Sequence, residues 1–124
     1  MDTNSDVPNE MPEITAVVEQ LAVDPETGFR VSLQRLPPGF VAPKHRHTDF
    51  EWVYILEGTL QDEFGSYGKG TFKVNPKGSV HKSYSEHGCT LIVFMRGTHE
   101  PVAEQQLGVA PFYKPRSYPL GLKL

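Results

Sequence analysis

The sequence predicts an all-β, single-domain barrel, and three observations carry that prediction. From Ile14 onward, apolar and β-branched residues fall in short runs. Gly, Pro, Asp and Asn clusters separate those runs, the pattern of successive strands joined by tight turns. No window has the 3.6-residue periodicity of a long amphipathic helix. A chain of 124 residues holds one core, because a second would lack material.

The elements follow in order. Asp24-Pro25-Glu26-Thr27-Gly28 parts Ala16–Val23 from Phe29–Leu36, which reads as a hairpin closed by Pro37-Pro38-Gly39. Glu51–Leu56 is expected to end at a Glu57-Gly58 turn, Thr59–Phe64 at the turn Gly65-Ser66-Tyr67-Gly68-Lys69-Gly70, and Phe72–Val74 at Asn75-Pro76-Lys77-Gly78. His81–Ser85 and Thr90–Met95 flank Glu86-His87-Gly88 and bring the strands to about eight, enough to close a barrel or fill two packed sheets. Residues 1–12 are polar and aperiodic and read as a flexible tail; residues 13–124 form the domain, with the barrel core at about 14–96. The last segment, 97–124, carries Pro101, Pro111, Pro115 and Pro119 and is expected to wrap the barrel or an interface, with Phe112, Tyr113 and Tyr118 as anchors.

Composition narrows the function. The formal charge of −3 gives no broad attraction to phosphate backbones, so nucleic acid is not an expected partner. The longest apolar runs are too short to cross a bilayer, and the N-terminus lacks a basic start followed by an apolar segment, so no membrane partner and a cytoplasmic location are expected. One cysteine, Cys89, excludes an internal disulfide and agrees with a reducing compartment.

The chemistry-bearing residues are His45, His47 and Glu51, separated by two and four positions. Even spacing in a strand means one face. Val53 and Ile55 continue that face as packing, while Lys44, Arg46 and Trp52 point away. His81 follows the Pro76–Gly78 turn, with Ser83 and Ser85 on its face. Imidazole and carboxylate donors suit Fe²⁺, Mn²⁺, Zn²⁺, Co²⁺ or Ni²⁺, and four protein donors leave a six-coordinate ion two positions for water, substrate or O₂. Glu51 reads either as a ligand or as a carboxylate beside the ion, hydrogen-bonded to water.

These residues resemble the two motifs of the cupin superfamily. The first, G-x5-H-x-H-x3-E-x6-G, is met at Gly39, His45, His47, Glu51 and Gly58. The second, G-x5-P-x-G-x2-H, is met at Gly70, Pro76, Gly78 and His81. The resemblance covers about residues 14–96 and implies an RmlC-like jelly roll, a double-stranded β-helix, with one divalent metal ion held inside by His45, His47, Glu51 and His81. The chain departs from the common pattern at Ser85, where cupins often carry Asn. HRHTDFEWVYILEGTLQDEFGSYGKGTF and SEHGCTLIVFMRG are similar to the ChrR-like cupins, as is the short link Thr59–Lys69 between the motifs.

That subgroup implies two functions. One is a stand-alone mononuclear Fe²⁺ dioxygenase of the acetylacetone dioxygenase type, taking O₂ and a small diketone or hydroxy-ketone, with Glu51 as catalytic residue; strand alternation alone offers Ser83, Val53, Ile55 and Met95 as pocket walls. The other is a non-catalytic zinc-binding sensor or structural cupin related to the anti-sigma factor. A metal-assisted isomerase or lyase using Glu51 as base is a third class. Fe²⁺ is the expected metal, with Zn²⁺, Mn²⁺ and Ni²⁺ as alternatives, and the family implies a homodimer in which the Ile14–Val23 strand pairs across the interface.

Other polar residues take bland readings. His87 and His99 read as surface or satisfied core residues, Asp62 and Glu63 as a solvated rim, and Cys89 as a small core residue. Tyr113, Lys114, Arg116 and Tyr118 read as a packed or dimer-facing tail.

Overall fold

The computed structural model describes residues 14–103 and 116–120. It contains ten strands and, among the described residues, no helix: β1 (Val17–Val23), β2 (Arg30–Leu36), β3 (Phe40–His47), β4 (Glu51–Asp62), β5 (Gly65–Gly68), β6 (Thr71–Asn75), β7 (Val80–Ser85), β8 (Cys89–Met95), β9 (His99–Pro101) and β10 (Arg116–Pro119). All pairings are antiparallel. One sheet runs β1-β2-β8-β4-β6-β10 and the other β9-β3-β7-β4-β5. The long β4 belongs to both, so the sheet curls over itself as a jelly-roll half-barrel.

The predicted β1–β2 hairpin is present. Asp24 accepts hydrogen bonds from the Glu26 amide (3.0 Å) and the Thr27 hydroxyl (2.9 Å), and Gly28 takes φ +77° to complete the turn. Glu57-Gly58 is not a turn. It is a bulge between Ile55 and Glu57 in the β4–β8 ladder, where β4 leaves one sheet for the other. Gly58 has φ +76°, and a Cβ there would lie 2.2 Å from the Gly88 carbonyl oxygen. The following hairpin turns earlier than expected. Asp62 accepts from the Phe64 amide at 2.8 Å, so the chain reverses at Glu63-Phe64 and Gly65–Gly68 becomes β5.

The core comprises Leu36, Val53, Ile55, Leu60, Tyr67, Cys89, Leu91 and Val93. Val53 and Ile55 lie on Glu51's face of β4, as the alternation predicts. On β6 the polarity is reversed: Thr71, Lys73 and Asn75 are buried, while Phe72 and Val74 are only half-buried. At the opposite edge β1 pairs with β2 alone, and Val17, Val18, Leu21 and Val23 are exposed.

The described parts of the C-terminal segment form edge strands, β9 beside β3 and β10 beside β6. Tyr118, expected as an anchor, is exposed. Residues 1–12, and Pro111, Phe112, Tyr113, Lys114 and Pro115, lie outside the described residues. Among the described residues, no helix is long and apolar enough to cross a membrane.

Candidate metal centre

Strand register assembles the centre. His45 and His47 are alternate residues of β3, so both point inward, and both are buried. The β3–β7 ladder sets His81 opposite His45, and the β3–β9 ladder sets His99 opposite His47. Glu51 arrives from the other sheet, across the Thr48–Phe50 corner rather than along one continuous strand. His45, His47, Glu51 and His81 are thus brought together. Ring centroids of His45 and His47 are 4.9 Å apart, and His81 lies 4.8 Å from the first and 4.9 Å from the second.

His99 corrects the bland reading given to it from sequence. Its ring stacks on His45 at 4.3 Å, and its Nε2 lies 2.8 Å from Glu51 Oε2. The ligand atoms of His45, His47 and His99 fall within 4.8 Å of one another, a spacing that can hold a metal ion. The cue was non-local: His99 reaches the centre only through the β3–β9 pairing. His87, in contrast, is an exposed side chain facing Glu86.

Hydrogen-bond partners decide what each imidazole offers. His45 Nδ1 is 2.7 Å from the Pro43 carbonyl, and His81 Nδ1 is 2.9 Å from the Asp62 carboxylate. His47 Nδ1 faces the Ser79 carbonyl (3.2 Å) and Ser79 Oγ (3.1 Å), whose own hydrogen is donated to the Pro76 carbonyl at 2.6 Å. Each partner can only accept, so each Nδ1 carries the hydrogen and each Nε2 is left with a lone pair. This arrangement orients metal-ligating histidines. His47 Nε2 and Glu51 Oε1 then face each other at 3.2 Å as two acceptors, a contact that a shared cation satisfies. The donor set therefore fits a borderline divalent ion. His99 differs, because its Nε2 donates to Glu51 in the observed geometry. Of the two possible imidazole triads, mutual distance groups His45 and His47 with His99, while lone-pair availability groups them with His81.

Burial drives His45 down to a pKa of about 3, against the pull of the Pro43 carbonyl. It lowers His81 as well, with Asp62 opposing. Both rings are neutral near pH 7, as ligation requires. Burial acts to raise Glu51, yet the neighbouring His47 and His99 rings, the latter donating to its Oε2, outweigh it and hold the carboxyl well below its usual range. The Asn75 amide also donates to Glu51 Oε1, at 2.8 Å.

Asp62 is another correction. It is buried rather than part of a solvated rim, and accepts from Tyr67 (2.7 Å), His81 and Lys73 (2.9 Å). These partners hold its carboxyl below the usual range although burial acts to raise it. Glu63 is exposed and accepts from the Lys82 amide at 2.8 Å. Lys73, and Asn75, which is the buried last residue of β6 rather than the turn residue expected, complete this buried network. Burial pushes Lys73 down while Asp62 pulls it up. Ser85 is buried and donates to the Thr59 carbonyl at 2.7 Å, a strand-to-strand tie away from the imidazoles.

A cavity of about 260 Å³ opens beside the cluster, bounded by His45, Glu51, His81 and His99 at the polar end and by Leu36, Val53, Leu60 and Leu91 at the apolar end. Ser83 and Val53 line it as expected. Ile55 packs instead in the core, fully buried, and Met95 packs against that core. Cys89 is a buried core residue whose thiol burial pushes up.

An antiparallel jelly roll with a histidine cluster inside its barrel defines a cupin. Residues 7–100 match the family described as the ChrR cupin-like domain, and the chain belongs to that family. No curated protein matches it in sequence. Among solved structures, an RmlC-like cupin protein from Ralstonia eutropha JMP134 has a TM-score of 0.67 at 19% identity, over 77% of this chain and 64% of that one. An acetylacetone dioxygenase from Acinetobacter johnsonii has a TM-score of 0.66 at 14% identity, over 89% and 90%. Rhodobacter sphaeroides SigE in complex with the anti-sigma ChrR gives 0.54 at 20% identity, over 64% of this chain and 43% of that one. At these identities the likeness is one of fold.

Proposed function

We propose that the protein is a mononuclear non-haem Fe²⁺ dioxygenase acting on a small diketone or hydroxy-ketone, with the ion held by His45, His47 and His81. The observation that carries the ligand set is the commitment of all three Nδ1 hydrogens to acceptor-only partners, which leaves three Nε2 lone pairs, with His45 and His81 lining one cavity. Glu51 completes the site, as fourth donor or as the base beside the ion. Its Oε2 is engaged by His99 and its Oε1 by Asn75. Those bonds fix the carboxylate beside the ion, where in the second role it takes the acidic C–H proton of a diketone. A bound divalent ion supplies a Lewis acid for the two substrate oxygens and, as Fe²⁺, redox chemistry for O₂. The chain's own part is to hold the substrate against Leu36, Val53, Leu60 and Leu91 and to exclude bulk water. The cavity is smaller than the ~300–1,000 Å³ of drug-sized pockets, which suits a substrate of a few carbons. The match to an acetylacetone dioxygenase fold along nearly its whole length supports the same class.

The test is oxygen uptake by Fe²⁺-loaded protein across a panel of β-diketones and hydroxy-ketones, with metal analysis of protein from its native host. Uptake with at least one diketone, lost in Glu51→Gln, is expected. No uptake with any member, in protein loaded with stoichiometric Fe²⁺, refutes the dioxygenase reading.

The family match favours a second reading, a zinc-binding sensor or structural cupin. Zn²⁺ has no redox chemistry, so zinc as the native metal, together with a protein partner retained on pulldown and no turnover, supports it. Either function is compatible with a homodimer. The exposed apolar residues of the edge strand β1 support pairing of two copies there, and a monomer by light scattering refutes it. The lone Cys89 supports a reducing, cytoplasmic setting.

A further inference from the structure

Lys73 occupies a position where an apolar side chain is the rule. Its side chain is fully buried, on the inner face of β6. A buried ammonium persists only when its hydrogens find acceptors, and the structure provides them. Nζ lies 2.9 Å from Asp62 Oδ2 and 2.6 Å from Asn75 Oδ1, and it stands 5.0 Å from the centre of the Tyr67 ring.

Those acceptors are the partners of the metal-facing groups. Asp62 Oδ2 is also the acceptor for His81 Nδ1. Asn75 Nδ2 is the donor to Glu51 Oε1. An ammonium has no lone pair, so it forces the Asn75 carbonyl toward itself and the amide hydrogens toward Glu51. It likewise supplies the positive charge that keeps Asp62 a carboxylate aimed at His81. One side chain thus governs two branches, one ending on an imidazole from the β3–β7–β9 sheet and the other on the carboxylate from the opposite sheet.

We infer that Lys73 is a positioning residue for the metal centre, setting the aim of His81 through Asp62 and of Glu51 through Asn75. The inference rests on the metal reading proposed above and deepens it. It explains why polar residues fill the inner face of β6 while Phe72 and Val74 face outward. Lys69, four residues earlier, is exposed and paired with Glu57, and has no such route to the centre.

The test uses Lys73→Met, which keeps the length of the stem and removes the ammonium, with Lys69→Met as control. Metal-free full-length protein is titrated with Co²⁺, and affinity is read together with the position and intensity of the visible d–d bands. Loss of a partner that orients a ligand typically weakens metal binding by about 10–100-fold. That loss, with altered bands, is expected for Lys73→Met, while Lys69→Met matches the wild type. A purely structural lysine would lower the melting temperature and leave the bands of bound Co²⁺ where they were. If the single variant does not fold because Asp62 is left as an unpaired buried charge, the double variant Asp62→Asn with Lys73→Met removes that charge. Relative to Asp62→Asn alone, a further loss of affinity and a further band change, carried through Asn75 and Glu51, are expected in it. Wild-type affinity and wild-type bands in folded Lys73→Met, or a double variant that matches Asp62→Asn alone, overturn the inference. Absence of Co²⁺ uptake by the wild type overturns the metal reading itself, and this inference with it.

Discussion

Replacement of Gly58 by alanine separates two costs that the bulge in β4 combines. The backbone at Gly58 has φ +76°, and a left-handed conformation costs a residue with a Cβ about 1–2 kcal/mol. The new Cβ would also lie 2.2 Å from the Gly88 carbonyl oxygen and 2.8 Å from Cys89 Cα, both backbone atoms that cannot rotate away. Overpacking of that kind costs about 1–3 kcal/mol. The sum, about 2–5 kcal/mol, is a large part of the ~5–15 kcal/mol that holds a domain folded. At about 4 °C per kcal/mol for a domain of intermediate size, the melting temperature should fall by about 8–20 °C. Gly28 is the internal control. Its φ is +77°, yet nothing lies within 4 Å of an added Cβ, so Gly28→Ala should show only the conformational cost, about 4–8 °C. Thermal melts of both variants under identical metal-free conditions decide the matter. A difference of less than about 3 °C would show that the β4–β8 ladder relaxes around the methyl, and would refute the steric reasoning.

Three further outcomes follow from the centre. Asp62→Asn should weaken divalent-metal binding by about 10–100-fold by isothermal titration, because His81 loses its carboxylate acceptor, while the neighbouring Glu63→Gln should leave it unchanged. Chelation should lower the melting temperature of metal-loaded wild type, since an ion at about 100 times its Kd stabilises the fold by about 2.7 kcal/mol, and the Leu substitutions of His45 and His47 should abolish that difference. In metal-free protein, His45 has its pKa lowered from 6.5 to about 3 on folding, so the unfolded chain binds the proton more readily. Its contribution to stability is therefore complete above about pH 6.5 and is lost as the pH falls toward 3, and urea midpoints of His45→Gln should decline less steeply than wild type over that window.

How far the centre could be read in advance depended on where each residue's partners lie. His45 and His47 are two positions apart on one strand, and local alternation suffices to aim both inward. His81 was legible because the turn that launches β7 is itself encoded by Pro76 and Gly78. His99 had no such cue: its place depends on β9 pairing with β3, some fifty residues away, and a histidine followed by Glu100 and Pro101 looks like any exposed loop. Glu57-Gly58 reads as a turn in sequence because positive φ is required equally by a hairpin and by a bulge, and only the pairing of Gly58 with Cys89 separates them. Asp62 next to Glu63 has the composition of a rim, and its burial follows from Lys73, whose charge a hydrophobicity pattern assigns to solvent.

The reversal on β6 shows where pattern-based reading fails for a physical reason. Alternation identifies a core face by assuming that the inner residues are apolar, and Thr71, Lys73 and Asn75 violate the assumption on one strand together. The two most polar of them have partners: the Lys73 ammonium meets Asp62 and Asn75, and the Asn75 amide meets Glu51. An inner face of this kind is unfavourable unless the network is complete, since one missing partner leaves a buried charge. Completeness is reached only where the strand carrying Glu51 and the strand carrying His81 converge, so the polar face of β6 has its purpose at the metal centre. A chain that lost the centre would gain stability by replacing Lys73 and Asp62 together with apolar residues. The half-buried counterpart, Phe72 beside Tyr54 and Val74 beside Trp52, follows from the same strand: with the inner positions committed to orienting ligands, its apolar residues are left on the outer face.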